Sequence, residues 1–275
     1  MIPDRAGNPP APQRARRYAP VSVITGERVS TARGGFNPSF QRHRAEYALC
    51  ASLLGDGRVL DLGCGTGHSW TELSPRETVG VDLERTALAG QGRETHQADM
   101  RALPFEPASF ASVVSIQSIE HVPDPERALA EVGRVLVPTG RAIFVTPNRL
   151  TFGRPTEIID PYHYVEYDQR QLRELCAAFF EHVEVLGLQV SPRYRAIHDD
   201  ERRELDRVLA LDPLRLRRLI PRRVRQRLYD RRLRGDRVTP RPGALEIGPT
   251  DFWLSPAELD GAIDLFAVCD RPRRG

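Results

Sequence analysis

The stretch VLDLGCGTG, residues 59–67, could hold a nucleotide-like ligand through its backbone. Gly63, Gly65 and Gly67 alternate directly after a short run with strand-like apolar pattern. Glycines at such a turn let the backbone approach a ligand closely, and the start of a following helix would offer free N–H groups to an anionic part of it. Asp82 ends the next predicted strand, the usual place for a carboxylate that binds both ribose hydroxyls. Turn and acid together predict a nucleotide-like cofactor.

The spacing of these glycines disfavours a dinucleotide. A dinucleotide site has the pattern G-x-G-x-x-G, and His68 stands where its third glycine should be. Asp82 would suit either kind of cofactor. NAD-linked oxidation is therefore the more remote interpretation.

Two histidines could move a proton near neutral pH, where histidine titrates. His121 lies just past the predicted strand 110–117, and open α/β sheets bind ligands at the ends of their parallel strands. His163 lies in the polar and aromatic segment IIDPYHYVEY. Around it stand side chains that could bind sugar hydroxyls through acceptor atoms and ring stacking: Asp160, Tyr162, Tyr164 and Glu166. A structural role for either histidine stays open at this stage.

Alternating strands and helices must position these residues. Strands are predicted at residues 58–62, 78–82, 110–117 and 141–146, with a short one near His96 and a helix over 124–136. Such alternation predicts the α/β class with a Rossmann-like, doubly wound sheet. Further along come a helix from residue 168, a strand over 182–190 and a last strand over 262–269. An arginine-rich insertion precedes that last strand.

Composition limits the classes of function. The 275 residues can bury a sizeable core, and no apolar run approaches the roughly 20 residues that a membrane-spanning helix needs. The N-terminus lacks the apolar core of a secretory signal, so we predict a cytoplasmic protein. The four cysteines form neither a CxxC pair nor a zinc set. Net charge is +3 and lysine is absent, so the arginine runs are weak evidence for nucleic-acid binding.

Five motifs stand in the order and spacing of a known family: VLDLGCGTG, VGVDLE, ADMRALPF, SIEHVPDPERALAEVGRVLVPTGR and FVTPNR, over residues 58–149. In them the chain resembles class I S-adenosylmethionine-dependent methyltransferases of type 11. The resemblance implies that the sheet includes a terminal antiparallel strand. It also implies that the methyl donor is S-adenosylmethionine and the product S-adenosylhomocysteine.

The resemblance implies a role for each motif residue. Four groups of residues would bind the cofactor: Asp61, Gly63, Cys64, Gly65 and Gly67 around the methionine part, Asp82 with Leu83 at the ribose, Asp99 and the backbone of Met100 at the adenine amino edge, and Ser115, Ile116 and Gln117 along the sulfonium.

A narrower resemblance points to the acceptor. ITGERV, TPNRLTFG with DPYHYVEYD, and DFWLSPAELDGAIDLFAVCDR are similar to actinobacterial saccharide methyltransferases, such as the 6-O-methyltransferases of methylglucose lipopolysaccharide synthesis. It implies methyl transfer to a saccharide or glycolipid hydroxyl, with His121 or His163 as the base and the 160–166 segment at the acceptor. The alternatives are C- or N-methylation of another small molecule, and a protein that binds S-adenosylmethionine without catalysis.

No metal site is predicted. Some quinone-pathway O-methyltransferases bind magnesium through E-x-x-E-H at the end of the fourth strand, where this chain reads Gln117, Glu120 and His121. The first carboxylate is missing, although the two remaining ligands could still hold a hydrated divalent ion.

We divide the chain into a disordered tail (1–20), an N-terminal cap with the first helix (21–57), a methyltransferase domain (58–190 with 251–271) and a helical lid insertion (191–250). Residues 212–234 of the insertion hold ten arginines. Three roles compete for them: a solvated lid, a contact with anionic lipid, and a surface for an acidic acceptor. RNA is disfavoured because Tyr229 is the only aromatic residue there. The oligomeric state is left open.

Overall fold

The computed structural model describes residues 37–152, 157–212, 216–236 and 242–274. These residues form an eight-stranded sheet in the order β3-β2-β1-β4-β5-β8-β6-β7. Its strands are β1 (Val59–Leu62), β2 (Thr78–Asp82), β3 (Thr95–Gln97), β4 (Phe110–Ile116), β5 (Leu136–Pro147), β6 (Phe180–Val190), β7 (Phe252–Ser255) and β8 (Asp264–Pro272).

The predicted fold class is confirmed. Strands β1 to β5 run parallel, with Leu60 of β1 opposite Val79 of β2 and Val113 of β4. β8 runs antiparallel between β5 and β6. The sequence did not indicate β7, a four-residue strand that pairs antiparallel with β6 at the edge of the sheet.

Helices cover both faces of the sheet. They are α1 (Asn37–Leu53), α2 (Pro125–Val135), α3 (Arg149–Phe152), α4 (Gln169–Ala177), α5 (Pro192–Ala210) and α6 (Arg222–Asp236). One core contains the buried residues of α2 and α4, such as Leu129 and Leu172, against Leu60 and Leu62 of β1. The other core joins α1 and α5 to the opposite face, where Val59 lies. Because β1 is buried on both faces, its sequence is almost continuously apolar.

Local sequence signals explain where α2 and α4 begin. The Asp124 side chain accepts a hydrogen bond from the Arg127 N–H, and Pro125 occupies the first turn of α2, where no N–H is needed. In α4, Asp168 and Gln171 form a reciprocal capping box. These caps place the segments that precede each helix, 118–123 and 157–167, beside the ends of β4 and β5.

The expectation of a helix directly after the glycine turn is wrong. Only a 3-10 helix, Trp70–Leu73, lies between β1 and β2. Pro75 explains this difference, because the residue before a proline is disfavoured in helical conformation, and Ser74 is extended with ψ 150°. The turn thus presents loop backbone to a ligand rather than the start of an α-helix.

Within the insertion, the structure describes α5, a short 3-10 helix Leu216–Leu219 and α6, which is separated from that turn by Pro221. The predicted tail and the ITGERV motif lie outside the described residues. The proposed domain boundaries stay predictions. Among the residues described, no helix combines the length and apolar character needed to cross a membrane.

Candidate active site

The glycine turn forms a cradle open on one side. Gly63, Gly65 and Gly67 have φ angles of 76°, 54° and 65°, in the left-handed region that favours glycine. A Cβ atom at Gly63 would lie 2.5 Å from the Ser118 Cβ, and one at Gly67 would lie 2.2 Å from the Gln91 Oε1. A Cβ at Gly65 would meet no atom within 4 Å. The open space in front of Gly65 fits a ligand that approaches the backbone.

Asp82 is tied to this cradle. Its carboxylate is buried at the end of β2 and accepts hydrogen bonds from the N–H groups of Gly65 and Glu84, both at 2.8 Å. The neighbouring Leu83 is 59% exposed. An acid beside an exposed apolar side chain fits a ligand with a hydroxylated sugar and a flat apolar base.

Asp61 belongs to a buried network that the sequence did not reveal. It accepts hydrogen bonds from the Arg93 Nη2 at 2.7 Å and the Tyr47 hydroxyl at 3.0 Å. Burial raises the pKa of Asp61, and Arg93 opposes that rise. The Arg93 Nη1 and the Thr66 Oγ1 are buried, with no hydrogen-bond partner among the described residues. Two such polar atoms beside the cradle would suit the charged end of the cofactor's methionine part.

The predicted adenine-binding residues lie on the loop after β3. The Asp99 carboxylate accepts from the Arg101 Nε at 2.9 Å and the Arg101 Nη2 at 2.6 Å. These hydrogen bonds hold the pKa of Asp99 below its ordinary value, so it is ionised. The Met100 side chain reaches Gly63, with its Cε 3.5 Å from the position of an added Cβ. The segment therefore borders the cradle, and its adenine contact stays a prediction.

The end of β4 closes the cradle from the other side. The Ser115 and Ser118 hydroxyls lie 2.6 Å apart, and the Ser118 hydroxyl donates to the Leu62 carbonyl at 3.1 Å. The Ile116 side chain is buried in the core on the α1 face. Cys64 is buried beneath the turn, which raises the pKa of its thiol to about 12. Their predicted contacts with the cofactor are not tested by these bonds.

Gln117 points away from the cradle. It adopts a left-handed φ of 51°, rare for a residue with a side chain. Its Nε2 donates to the Glu46 Oε1 and the Asp264 Oδ1, both at 3.0 Å. The arrangement of Gln117, Glu120 and His121 that would resemble E-x-x-E-H is therefore not formed.

A buried charged group surrounds the Gln117 side chain amide. It consists of Glu46, Asp264 and Arg42, and we call it the acid pair with its arginine. The Arg42 Nε lies 3.7 Å from Glu46 and 3.6 Å from Asp264. Burial and the charge of Asp264 raise the pKa of Glu46 well above its ordinary value. These three residues come from α1 and β8, far apart in the chain. The sequence analysis did not predict this group. Its sequence feature is a charged residue within an otherwise apolar-periodic segment.

The structure brings the two predicted catalytic histidines together. His121 ends the 3-10 turn Ile119–His121 after β4, and its ring centroid lies 4.9 Å from that of His163. The Nδ1 of His121 lies 3.3 Å from the Tyr162 carbonyl, and the Nδ1 of His163 lies 3.2 Å from the Glu166 Oε1. Since carbonyl and carboxylate oxygens only accept, each Nδ1 carries the proton of its hydrogen bond.

The two imidazoles differ in basicity. Burial lowers the pKa of His121, and a charge on His163 would lower it further. Burial opposes protonation of His163 as well, but the hydrogen bond to Glu166 and the charges of Asp160 and Glu120 raise its pKa overall. A neutral ring thus stands beside one that holds a proton more readily.

The 160–166 segment is fixed by its own polar groups. Asp160 accepts from the Tyr162 N–H at 2.8 Å, and the Tyr164 N–H donates to the Glu120 carbonyl at 2.8 Å. Asp160 and Glu166 are buried, whereas Tyr164 is about half exposed. Their predicted role in binding an acceptor stays a prediction, with Tyr164 the most accessible of the four.

One group of side chains could hold a metal ion. Glu120, His121 and His163 each offer a ligand atom, and these atoms lie within 4.8 Å of one another. This group differs from the E-x-x-E-H motif, because its third member is His163 from the loop after β5 and not the residue at position 117. The same positions serve equally for proton transfer without a metal.

The cradle, the acid at the end of β2 and the mixed sheet define the class I fold of cofactor-dependent methyltransferases, and comparison with known proteins supports this class. The family described as a methyltransferase domain matches residues 60–144. A probable S-adenosylmethionine-dependent methyltransferase of Mycobacterium tuberculosis is 36% identical over 201 residues, 70% of this chain and 72% of that protein. A protein of Mycolicibacterium smegmatis with the same description is 30% identical over 90% of this chain and 95% of its own length.

The chain therefore belongs to the S-adenosylmethionine-dependent methyltransferases, and it is an enzyme with S-adenosylmethionine as methyl donor and S-adenosylhomocysteine as product. Among solved structures, a methyltransferase of Thermotoga maritima, described as a possible histamine N-methyltransferase, aligns with a TM-score of 0.57 and 17% identity. The alignment covers 86% of this chain and 92% of that one. It shows the shared fold.

Proposed function

We propose that this enzyme transfers the methyl group to a hydroxyl of a saccharide or glycolipid. The observation that carries the proposal is the pairing of His121 and His163 next to the end of β4. An alcohol is a poor nucleophile and needs a base, and a neutral histidine supplies one near pH 7.

His121 is the base in this proposal. Its lowered pKa keeps the ring neutral at pH 7, and the Tyr162 carbonyl fixes the proton on Nδ1, so Nε2 accepts the hydroxyl proton. S-adenosylmethionine, when bound, supplies a methyl group on a positively charged sulfur. The Nε2 of His121 would take the hydroxyl proton of the acceptor oxygen that receives this methyl group.

His163 orients the acceptor side. Glu166 holds its Nδ1 proton, and Phe152 lies against its ring with centroids 5.1 Å apart. A ring held in this way can donate to an acceptor oxygen or relay the proton from His121. Both histidines therefore belong to one proton-transfer unit.

A buried charged group lies behind the end of β4. The Arg42 Nε, Glu46 Oε2 and Asp264 Oδ2 are buried with no hydrogen-bond partner within the described ranges. Gln117 links this group to the end of β4, just before the histidine turn.

The test is to incubate the enzyme with methyl-labelled S-adenosylmethionine and fractionated extract of its own host, then hydrolyse the labelled product. We expect an O-methyl sugar from the wild type and none from His121→Ala, which should still bind the cofactor. Label on a ring carbon, an amine or RNA would replace the proposed acceptor while keeping the enzyme class. Cofactor binding without a labelled sugar from any fraction would contradict the proposed acceptor.

A further inference from the structure

The exposed side chains of α6 and of the 3-10 turn before it are not used by the proposed reaction. We call them the outer face: Leu216, Leu219, Ile220, Arg223, Val224, Arg227, Leu228 and Arg231, all exposed. Along α6, exposure follows the helical period. Arg222, Gln226 and Tyr229 are half-buried. The exposed residues of the helix are Arg223, Val224, Arg227, Leu228 and Arg231.

The inner side of α6 is fixed to the candidate acceptor loop. Arg222 donates from Nε to the Pro161 carbonyl at 2.7 Å and from Nη2 to the Tyr162 carbonyl at 2.9 Å. Its guanidinium lies 3.9 Å above the Tyr164 ring. The Tyr162 hydroxyl donates to the Asp230 Oδ2 at 2.9 Å. These contacts set the rotation of the helix, so the opposite side must face outward.

The outer face combines large apolar side chains with positive charge. Leu219 is 81% exposed, Leu216 57% and Leu228 56%. Apolar groups of this size usually lie in a core or an interface, and here five exposed ones fall within residues 216–228. The charged members of the face are all arginines, while Asp230 lies on the inner side and bonds to Tyr162.

We propose that the outer face binds the surface of an anionic lipid bilayer. Leucine, isoleucine and valine would enter the boundary between headgroups and acyl chains, and Arg223, Arg227 and Arg231 would contact lipid phosphates. The charge of the face fits anionic rather than neutral lipid. No described helix could span the membrane, so the contact is peripheral.

Nucleic acid fits this surface less well. Single-stranded nucleic acids are bound through aromatic rings on which bases stack. The aromatic residue of α6, Tyr229, is half-buried on the inner side, where its ring lies 6.4 Å from that of Tyr162. The exposed apolar residues are aliphatic and suit acyl chains.

The two sides of α6 thus connect lipid to the acceptor loop. Arg222 touches the loop that carries His163, whereas Arg223, the next residue along α6, is exposed. Bilayer binding would hold the acceptor loop within one helix diameter of the lipid surface, about 10 Å. The proposal stands on the outer face alone and does not depend on the acceptor being a saccharide.

Co-sedimentation of the full chain with vesicles tests the proposal. One set is phosphatidylcholine with phosphatidylglycerol, and the other is phosphatidylcholine alone. We expect binding to the anionic vesicles only, and a loss of at least about tenfold in partitioning for Arg223→Glu/Arg227→Glu, since each basic residue near the surface adds a favourable term. Leu219→Ser/Leu228→Ser should abolish the part of the binding that survives high salt.

The matched control is Arg170→Glu/Arg271→Glu, which changes net charge equally at exposed arginines elsewhere. It should bind anionic vesicles nearly as well as the wild type. Circular dichroism and S-adenosylmethionine affinity confirm that each variant is folded. Absence of binding to anionic vesicles, or an equal loss in the control, would overturn the proposal. So would binding of a single-stranded RNA, but not of vesicles, that the Arg223→Glu/Arg227→Glu variant loses.

Discussion

The two halves of the active site are built in different ways. The cofactor half takes its groups from the carboxyl ends of adjacent strands, with Asp82 bonded directly to Gly65. The proposed acceptor half would take its groups from α1, the turn after β4, the 157–167 loop and β8, with Gln117 connecting Glu46 to Asp264. The first half is therefore encoded in short motifs, and the second only in the complete fold.

The two halves also differ in electrostatics. Around the cradle, charged groups are paired closely, as in the 2.7 Å contact of Arg93 with Asp61. In the acceptor half, Arg42 lies more than 3.5 Å from both acids, and the pKa of Glu46 is raised. Charged groups are therefore paired more closely around the cradle than in the acid pair with its arginine.

The largest effect should come from His121. His121→Ala should lower kcat by about 10²–10⁴-fold, the usual contribution of a placed general base. The affinity for S-adenosylmethionine, measured by calorimetry, should not change, because the cradle is intact. His163→Ala should lower kcat less. His182→Ala, at an exposed position on β6, is the control and should leave both quantities unchanged. A loss of cofactor affinity in His121→Ala would mean that the two halves are not separable.

Next in size is the cradle itself. Gly65→Val should weaken S-adenosylmethionine binding by about 100-fold or more, because a branched side chain would fill the open space and strain a left-handed residue. Gly243→Val controls for the strain, since Gly243 has φ 73° and open space but lies outside the site. Equal loss of cofactor affinity in both variants would show that strain, rather than the filled cradle, is responsible.

A smaller effect should appear in stability. Because the pKa of Glu46 is raised, the folded state holds a proton that the unfolded state has released, and stability falls as pH rises above about 4.5. Glu46→Gln removes this cost and should raise Tm at pH 8 by about 2–4 °C for each 1 kcal/mol regained, with no gain at pH 4.

Glu131 provides the opposite case. Its hydrogen bonds to Arg134 lower its pKa, so its stabilisation is present above the ordinary pKa and is lost as pH falls. Glu131→Gln should therefore lower Tm at pH 8. If Glu46→Gln and Glu131→Gln shift Tm in the same direction at pH 8, the predicted difference between the two acids is wrong.

The smallest effect should come from chelation. If His121 acts as a base, dialysis against EDTA should leave kcat unchanged within error. A bound metal that activates the hydroxyl would contribute several kcal/mol, so its removal would be obvious. Loss of activity with EDTA, restored by a divalent cation, would reassign Glu120, His121 and His163 as metal ligands.

The sheet could be predicted because its signals are local. Apolar runs ended by turn residues gave β2 its observed bounds, Thr78–Asp82, and Asp124 with Pro125 marked the start of α2. β7 was missed because a four-residue strand containing an exposed tryptophan carries little periodic signal. The missing helix after Gly67 reflects Pro75, whose effect on Ser74 outweighed the expected strand-to-helix pattern.

The parts of the site that lie within short sequence motifs could be predicted, and those that join distant segments could not. The positive φ angles of Gly63, Gly65 and Gly67 agree with a turn that only glycine suits. The meeting of His121 with His163 could be guessed only from their places after β4 and β5. The roles of Glu46 and Asp264 could not, because a buried acid has no sequence pattern apart from the partners that surround it in space.

The position of β8 has a consequence for synthesis on the ribosome. β8 follows every other strand in the chain, yet it lies between β5 and β6 and contributes Asp264 to the acid pair. Until residues 264–272 emerge, β5 and β6 each expose an unpaired edge that can recruit another strand. The nascent chain can complete its cofactor cradle early, whereas the acid pair with its arginine must wait for β8.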